Sequence, residues 1–160
     1  MFSSQHLTFD LAILSIAIAL TIHIIAEAWI PACRKAWPNW RSAVFDPVLF
    51  SDNAPFFILS LGAAVVGWKW PIIGSILPVV GVSHPLLDHL GLSWKNKKLR
   101  PGSWTGLLLL FPLSMGTYIV IFNNQVLTLL ELLVSGAIGL GISLWLFWMV
   151  GQESTASHKP

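Results

Sequence analysis

In two otherwise uncharged stretches of this chain a histidine stands four residues ahead of a carboxylate. His23 and Glu27 lie in TIHIIAEAW; His84 and Asp88 lie in GVSHPLLDHLGLSW, where His89 follows directly. Residues at i and i+4 share one face of an α-helix, so each pair can aim at a common point. Imidazole nitrogen and carboxylate oxygen are ligands that suit Zn or Fe, and pairs on two facing helices can surround one ion or two. Without a metal, Glu27 or Asp88 can work as acid or base with histidine as partner. The chain's one cysteine, Cys33, excludes an internal disulfide and a Cys-based metal framework, so a metal would fall to His23, Glu27, His84, Asp88 and His89. A purely structural use of the same groups is a hydrogen-bonded contact between two helices, or snorkelling of Glu27, Asp88 and His89 to the membrane interface.

The elements that must position these residues follow from composition. Of 160 residues 55% are apolar and 10% charged, and the mean hydropathy is +0.73, too apolar for a soluble domain of this size. The expected fold is all-α, a polytopic membrane helix bundle forming one domain over residues 1–150, with a polar, disordered cytoplasmic tail over 151–160. A spanning helix needs about 20 mostly apolar residues. Five segments qualify, roughly 9–30, 54–69, 71–92, 104–122 and 127–149. The second is short, and Trp68, Lys69, Trp70 and Pro71 leave almost no loop before the third, so four helices with a re-entrant segment is the alternative. The first apolar run has no Lys or Arg ahead of it and is longer than a signal-peptide core, so it is expected to be retained as a helix. The chain shows no internal repeat, Gly-rich phosphate loop or serine nucleophile motif.

Charge sets the orientation. Arg34, Lys35 and Arg41 follow the first span, Lys95, Lys97, Lys98 and Arg100 the third, and Lys159 lies in the tail, whereas the other side holds Lys69 alone. By the positive-inside rule the N-terminus is outside and the C-terminus cytoplasmic, in the inner cell membrane. Trp29, Trp37, Trp40, Trp94, Trp104, Trp145 and Trp148 gather near the inner boundary, Trp68 and Trp70 near the outer one. The net charge of +2 reads as basic flanks of membrane spans, with no nucleic-acid partner. If the first span exits near Ile30, His23 lies about 10 Å and Glu27 about 5 Å below the inner boundary at helical rise. If the third exits near Leu92, His84 lies about 12 Å and Asp88 about 6 Å deep. Two helices thus bring a deep histidine and a shallower carboxylate to one level. An ionisable residue there costs about 2.5–3.5 kcal/mol and usually faces the bundle interior or a wet cavity. Pro85, directly after His84, frees the carbonyl of Gly81 and favours a kink or polar pocket, as Pro78 can one or two turns earlier.

Other polar stations lie on the way. SDNAP, residues 51–55, reads as a helix start with Asp52 or Asn53 as cap, and Asn53 could also point its amide into the cavity. The loop PACRKAWPNWRSAVFDP, with its aromatic and basic residues, reads as an interfacial anchor. In RPGSWTG, residues 100–106, Ser103 is a candidate cap and Arg100 a candidate site for an anion or lipid headgroup over free backbone N–H groups. Asp10 and Glu131 fall near the outer ends of their helices, where a carboxylate favours a helix start, away from the histidine level. His158 belongs to the tail.

In order along the chain, the first-helix HxxxE, the Asn53-Ala54 pair, the His84 cluster and the Pro101-Gly102 turn opening GSWTGLLLLFPLSMGTY resemble the HXXEE-domain proteins, a bacterial membrane family without an established activity, over roughly residues 20–120. The resemblance implies that His23 and Glu27 match the histidine and last glutamate of that motif and His84 its second histidine. Ala26 stands where the first glutamate would be, Asp88 where the family tends to a histidine, His89 one place late, and Leu99 in place of a tyrosine. HIIAEAW is also similar, over that segment alone, to the HxxxEGW of emopamil-binding-protein-like sterol isomerases and membrane terpene cyclases. That likeness implies acid–base chemistry without metal.

Two classes of function remain. The first is a membrane enzyme with His23, Glu27, His84 and Asp88 as catalytic or metal-binding residues, joined by His89, and with Asn53 and Arg100 nearby, acting on an apolar or lipid-like substrate. The second is a non-enzymatic membrane subunit or lipid-binding module whose Lys95–Arg100 cluster holds anionic lipid. Either way, a reporter fused after the last span should be active only in its cytoplasmic form; an active periplasmic reporter would invert the orientation and the depths derived from it.

Overall fold

The computed structural model describes residues 4–67 and 69–156, with side chains described from residue 8 to residue 150. Five helices are long and apolar enough to cross a membrane: α1, Thr8–Lys35; α2, Trp40–Val66; α3, Pro71–Asn96; α4, Ser103–Asn123; and α5, Leu129–Val150. Among the described residues there is no strand. The chain is an all-α, multi-pass membrane bundle. Its outer surface accords with that, since Ile58, Leu61, Leu108, Phe122, Leu130 and Leu133 all stand exposed, an apolar belt suited to lipid.

The second helix starts earlier than its sequence suggests. SDNAP does not open it: a short turn, Trp40–Val44, is followed by Asp46, whose carboxylate accepts from the Val48 N–H at 2.9 Å and caps a helix running Pro47–Val66. The tetrapeptide Phe45–Val48 carries the same acid-then-proline signal as SDNAP, and the earlier copy wins because it lengthens the helix to 20 residues. Asn53 and Pro55 therefore lie inside α2, and the Asn53 amide donates to its own helix at Leu49 O, 2.8 Å away. At the other end of the bundle Glu131 accepts from the Thr128 N–H and hydroxyl, both at 2.8 Å, which closes a capping box on α5. That helix continues to Ala156, into the segment expected to be a tail. Trp68, His158 and Lys159 lie outside the described residues.

Burial separates the helices by role. In α1 and α3, 44% and 56% of the apolar window is buried, against 11% in α2 and 22% in α5. These two interior helices carry His23, His84 and His89. On α1 the buried stripe runs Phe9, Ile13, Ile16, Leu20, His23, at alternating steps of four and three, and Glu27 is the next member of the series. The histidine is thus a polar residue in a core position. α3 packs against α5 most extensively, where the absence of a side chain at Gly139 lets the α5 backbone close on Val79 and the Ile76 carbonyl. α1 packs on α2, α4 and α3. Both site helices run past the expected exits, α1 to Lys35 and α3 to Asn96. His23 and His84 therefore each stand twelve residues, or about 18 Å at helical rise, before the end of their helix.

Candidate metal centre

Three of the helices widen at one level. α1 makes a π turn over Ile25–Trp29, α3 over Pro85–Leu92, and α4 over Gly106–Leu110. Each lies beside a proline, namely Pro31, Pro85 and Pro112. Pro85 has no N–H to return to Gly81, so the usual i to i−4 bond cannot form there. Pro55 and Pro78 sit in unbroken α-helix, so proline permits the widening without compelling it. Such turns concentrate at functional sites. On α3 the consequence is specific: with hydrogen bonds reaching i+5, the residue that returns to the face of His84 is His89, not Asp88. The rings of His84 and His89 lie 5.3 Å apart, and His23 of α1 lies 5.4 and 4.8 Å from them.

The three imidazoles and Glu27 offer ligand atoms that all lie within 4.8 Å of one another. Glu27 Oε2 is 3.4 Å from His23 Nε2, 3.7 Å from His84 Nε2 and 3.8 Å from His89 Nε2, while the Nε2 atoms of His23 and His89 approach to 3.0 Å. A tetrahedral ion bound at about 2.0–2.1 Å would set its ligand atoms about 3.3 Å apart, within this range and toward its short end. His23 and His89 are fully buried and His84 nearly so, whereas the Glu27 side chain is 23% exposed, so the tetrad opens on its carboxylate side.

Hydroxyls on α4 orient two of the rings. Thr105 Oγ1 donates its hydrogen to Gly102 O at 2.9 Å and lies 3.0 Å from His23 Nδ1. With that hydrogen kept on Gly102 O, Thr105 would accept from an Nδ1–H, and the free lone pair of His23 would fall on Nε2. Ser103 repeats the device more loosely. It donates to Arg100 O at 2.8 Å and stands 3.5 Å from His89 Nδ1. On this hydrogen-bond assignment two Nε2 lone pairs face each other at 3.0 Å, an arrangement that requires a cation or a proton between them.

The turn before α4 is pressed onto the tetrad. Gly102 has φ of 78°, and a Cβ there would lie 2.8 Å from Glu27 Cβ and 3.2 Å from His23 Cε1; one on Gly106 would lie 3.0 Å from His89 Cδ2. Only glycine allows both the backbone angle at 102 and the approach at 106. Arg100, expected over free backbone N–H groups, turns inward instead. Its Nη2 lies 3.6 Å from Glu27 Oε1 and its Nε 3.3 Å from Asp88 Oδ1. Both are ion-pair distances without hydrogen-bond geometry at Asp88, because Asp88 Oδ1, Asp88 Oδ2 and Arg100 Nε are buried without a hydrogen-bond partner, as is His84 Nδ1.

Of the residues singled out in sequence, His23, Glu27, His84 and His89 converge. Asp88 and Arg100 form the adjoining ion pair, Asp88 being 1% exposed. Asn53 is engaged on its own helix. Thr105, Gly106 and the ring-orienting use of Ser103 escape a reading of RPGSWTG as a helix start, and no side chain caps this helix. The signal present was a pair of hydroxyls one and three residues past a Pro-Gly turn.

A profile of the family described as "Protein of unknown function with HXXEE motif" matches residues 14–117, a span that includes every member of the tetrad and ends before α5. The motif reads HIIAE here, with Ala26 in place of its first glutamate. No curated protein and no solved structure matches the chain, so the narrower likeness to emopamil-binding-protein-like isomerases has no support beyond its one segment.

Two outcomes follow from this geometry. With Cys33→Ser as background, cysteines replacing His23 and His89 should be joined by a short bifunctional thiol reagent. Adding Pro85→Ala should transfer that reactivity to a cysteine at Asp88, and cross-linking indifferent to Pro85 would refute the widened-turn account. Gly102→Ala should lower thermal stability, since the left-handed conformation alone costs a side chain about 1–2 kcal/mol before the clash with Glu27. Gly116→Ala, where a Cβ meets nothing within 4 Å, should not.

Proposed function

The chain belongs to the HXXEE family, and from the site it carries we propose that it is a membrane enzyme holding Zn or Fe on His23, His84, His89 and Glu27, in the cytoplasmic half of the bilayer, and acting on an apolar or lipid-like substrate. The observation that carries the reading is the short contact between the Nε2 atoms of His23 and His89, with both rings backed by hydroxyls whose hydrogens are spent elsewhere. Charge supports it as well: two carboxylates, Glu27 and Asp88, face one guanidinium, Arg100, so with neutral imidazoles the interior lacks a positive charge. Three nitrogens and one oxygen form a borderline donor set that suits Zn or Fe.

In this reading His23, His84 and His89 are neutral donors, and Thr105 and Ser103 keep the Nε2 of His23 and His89 free to bind. Bound there, a divalent ion supplies a Lewis acid for a carbonyl or phosphoryl oxygen. Glu27 gives one oxygen to the tetrad and turns the other toward Arg100, so it stands between the imidazoles and the open side. Arg100, itself paired with Asp88, holds that carboxylate. Phe56, 6.1 Å from the His84 ring, supplies an apolar wall. The second reading, acid–base chemistry without metal, rests on the same 3.0 Å contact, with a proton shared by His23 and His89 and Glu27 as its counter-charge.

Elemental analysis separates the two. Protein purified without chelator should contain about one equivalent of Zn or Fe. His23→Ala, His84→Ala and His89→Ala should each lose it, and Glu27→Gln should retain far less. Thr105→Val should weaken affinity about 10- to 100-fold, as loss of a ligand-orienting partner does, and Glu131→Gln should match the parent. Folded protein without metal, before and after incubation with Zn or Fe, would sink the metal reading in favour of the shared proton. Metal binding with no effect of Thr105→Val would remove the role given to the hydroxyl.

A further inference from the structure

The widened turn of α1 has a second face. Glu27 looks toward α3, while Trp29 looks the other way, into an open cavity of about 620 Å³ between the end of α1, the short turn Trp40–Val44 and the start of α2. Trp29, Trp37, Trp40, Phe50 and Phe57 line it, and Arg34 is the one charged side chain on its wall. The wall is built. Trp29 stands edge-on to Phe50 at 5.2 Å and to Phe57 at 5.8 Å, and its Nε1 donates to Val44 O at 3.3 Å, which ties the Trp40–Val44 turn to α1. Arg41 lies over the Trp40 ring at 5.7 Å, so a second guanidinium is held beside the same aromatic wall. The space is distinct from the metal centre: none of the tetrad lines it, and on α2 Phe56 meets His84 while Phe57, about 100° further round the helix, lines the cavity.

We infer that this cavity is a binding site for one anionic phospholipid, with an acyl chain among the aromatic side chains and the phosphate on Arg34 and Arg41. Volume and lining match a small-molecule site, which is typically about 300–1,000 Å³ and mostly apolar with a few placed polar groups. A wholly polar anion gains nothing from the aromatic wall, and a hydrocarbon gains nothing from the arginines. A ligand with both parts uses the whole site. Guanidinium groups recognise phosphate through paired N–H donors, and the rim lies next to Lys35 at the basic end of α1, where an anionic leaflet would present such headgroups. A net negative headgroup is chosen over a zwitterionic one because two arginines, and no carboxylate, stand on or over the lining residues.

The test uses full-length protein in mild detergent, stripped of lipid and titrated with dioleoyl phosphatidylglycerol or dioleoyl phosphatidylcholine, with occupancy read by native mass spectrometry. One phosphatidylglycerol should be retained in preference. Arg34→Gln should weaken it about fivefold, the effect of one surface arginine on an anionic lipid, and Arg34→Gln with Arg41→Gln should bring it to the level of phosphatidylcholine. Lys97→Gln should change nothing. Cys33, the only cysteine in the chain, lies on the same wall, so phosphatidylglycerol should slow its reaction with N-ethylmaleimide at concentrations where phosphatidylcholine does not bind. Equal retention of the two lipids by the parent would overturn the inference. So would indifference to Arg34→Gln, or phosphatidylglycerol binding that leaves Cys33 as reactive as before.

Discussion

Hydrocarbon offers no partner to an imidazole or a carboxylate, so the ionisable groups of α1 and α3 can be buried only if they satisfy one another. Much of the bundle follows from that requirement. His23 occupies a core position on α1 below Leu20, and the neighbouring helix must present polar groups at the same height. α3 does so, with its own histidine twelve residues from its end, as on α1. Matching heights still leave the rings needing orientation, and the start of α4 provides it. Its backbone comes within a hypothetical Cβ of Glu27 and His23 only because residues 102 and 106 are glycines, and that approach delivers the hydroxyl of Thr105 to His23. Glycine, hydroxyl and imidazole are therefore one device spread over two helices.

Backbone and side chains solve the problem jointly. A π turn shifts its hydrogen bonds by one residue and so changes which side chain returns to a given face. On α3 this moves His89 into the tetrad and sends Asp88 sideways to Arg100. Had the helix stayed α-helical, Asp88 and not His89 would have returned to the face of His84. The widened turn puts a third imidazole there, and Asp88 stands at its side, sharing Arg100 with Glu27.

Much of this was legible in the residues and some was not, for reasons that can be named. Five spans follow from apolar length, and His23 with Glu27 follows from their spacing, since the two stay within 3.4 Å although Glu27 already lies in the widened turn Ile25–Trp29. The start of α2 was obscured by two competing acid-then-proline signals, and the length needed to span decides between them. The choice of His89 was hidden because the i, i+4 rule assumes a regular turn; what looks like a histidine one place late is in register in the widened turn that Pro85 permits. Thr105 and Gly106 carry no periodic pattern. They matter through contacts made across more than eighty residues of chain with His23, which spacing within one segment cannot reveal.

The turn Ile25–Trp29 presents two unlike surfaces within five residues, a carboxylate toward the tetrad and an indole toward the aromatic cavity. Its orientation is fixed from both sides. Gly102 packs against Cβ and Cα of Glu27, and Trp29 is tied to Val44 and wedged between Phe50 and Phe57. A rotation of this turn that improved one set of contacts would loosen the other, since both side chains hang from the same short stretch of backbone. α2, with little buried surface of its own, is thereby given a part in holding Glu27 to which none of its residues contributes a ligand atom. It braces the back of the turn whose front completes the tetrad.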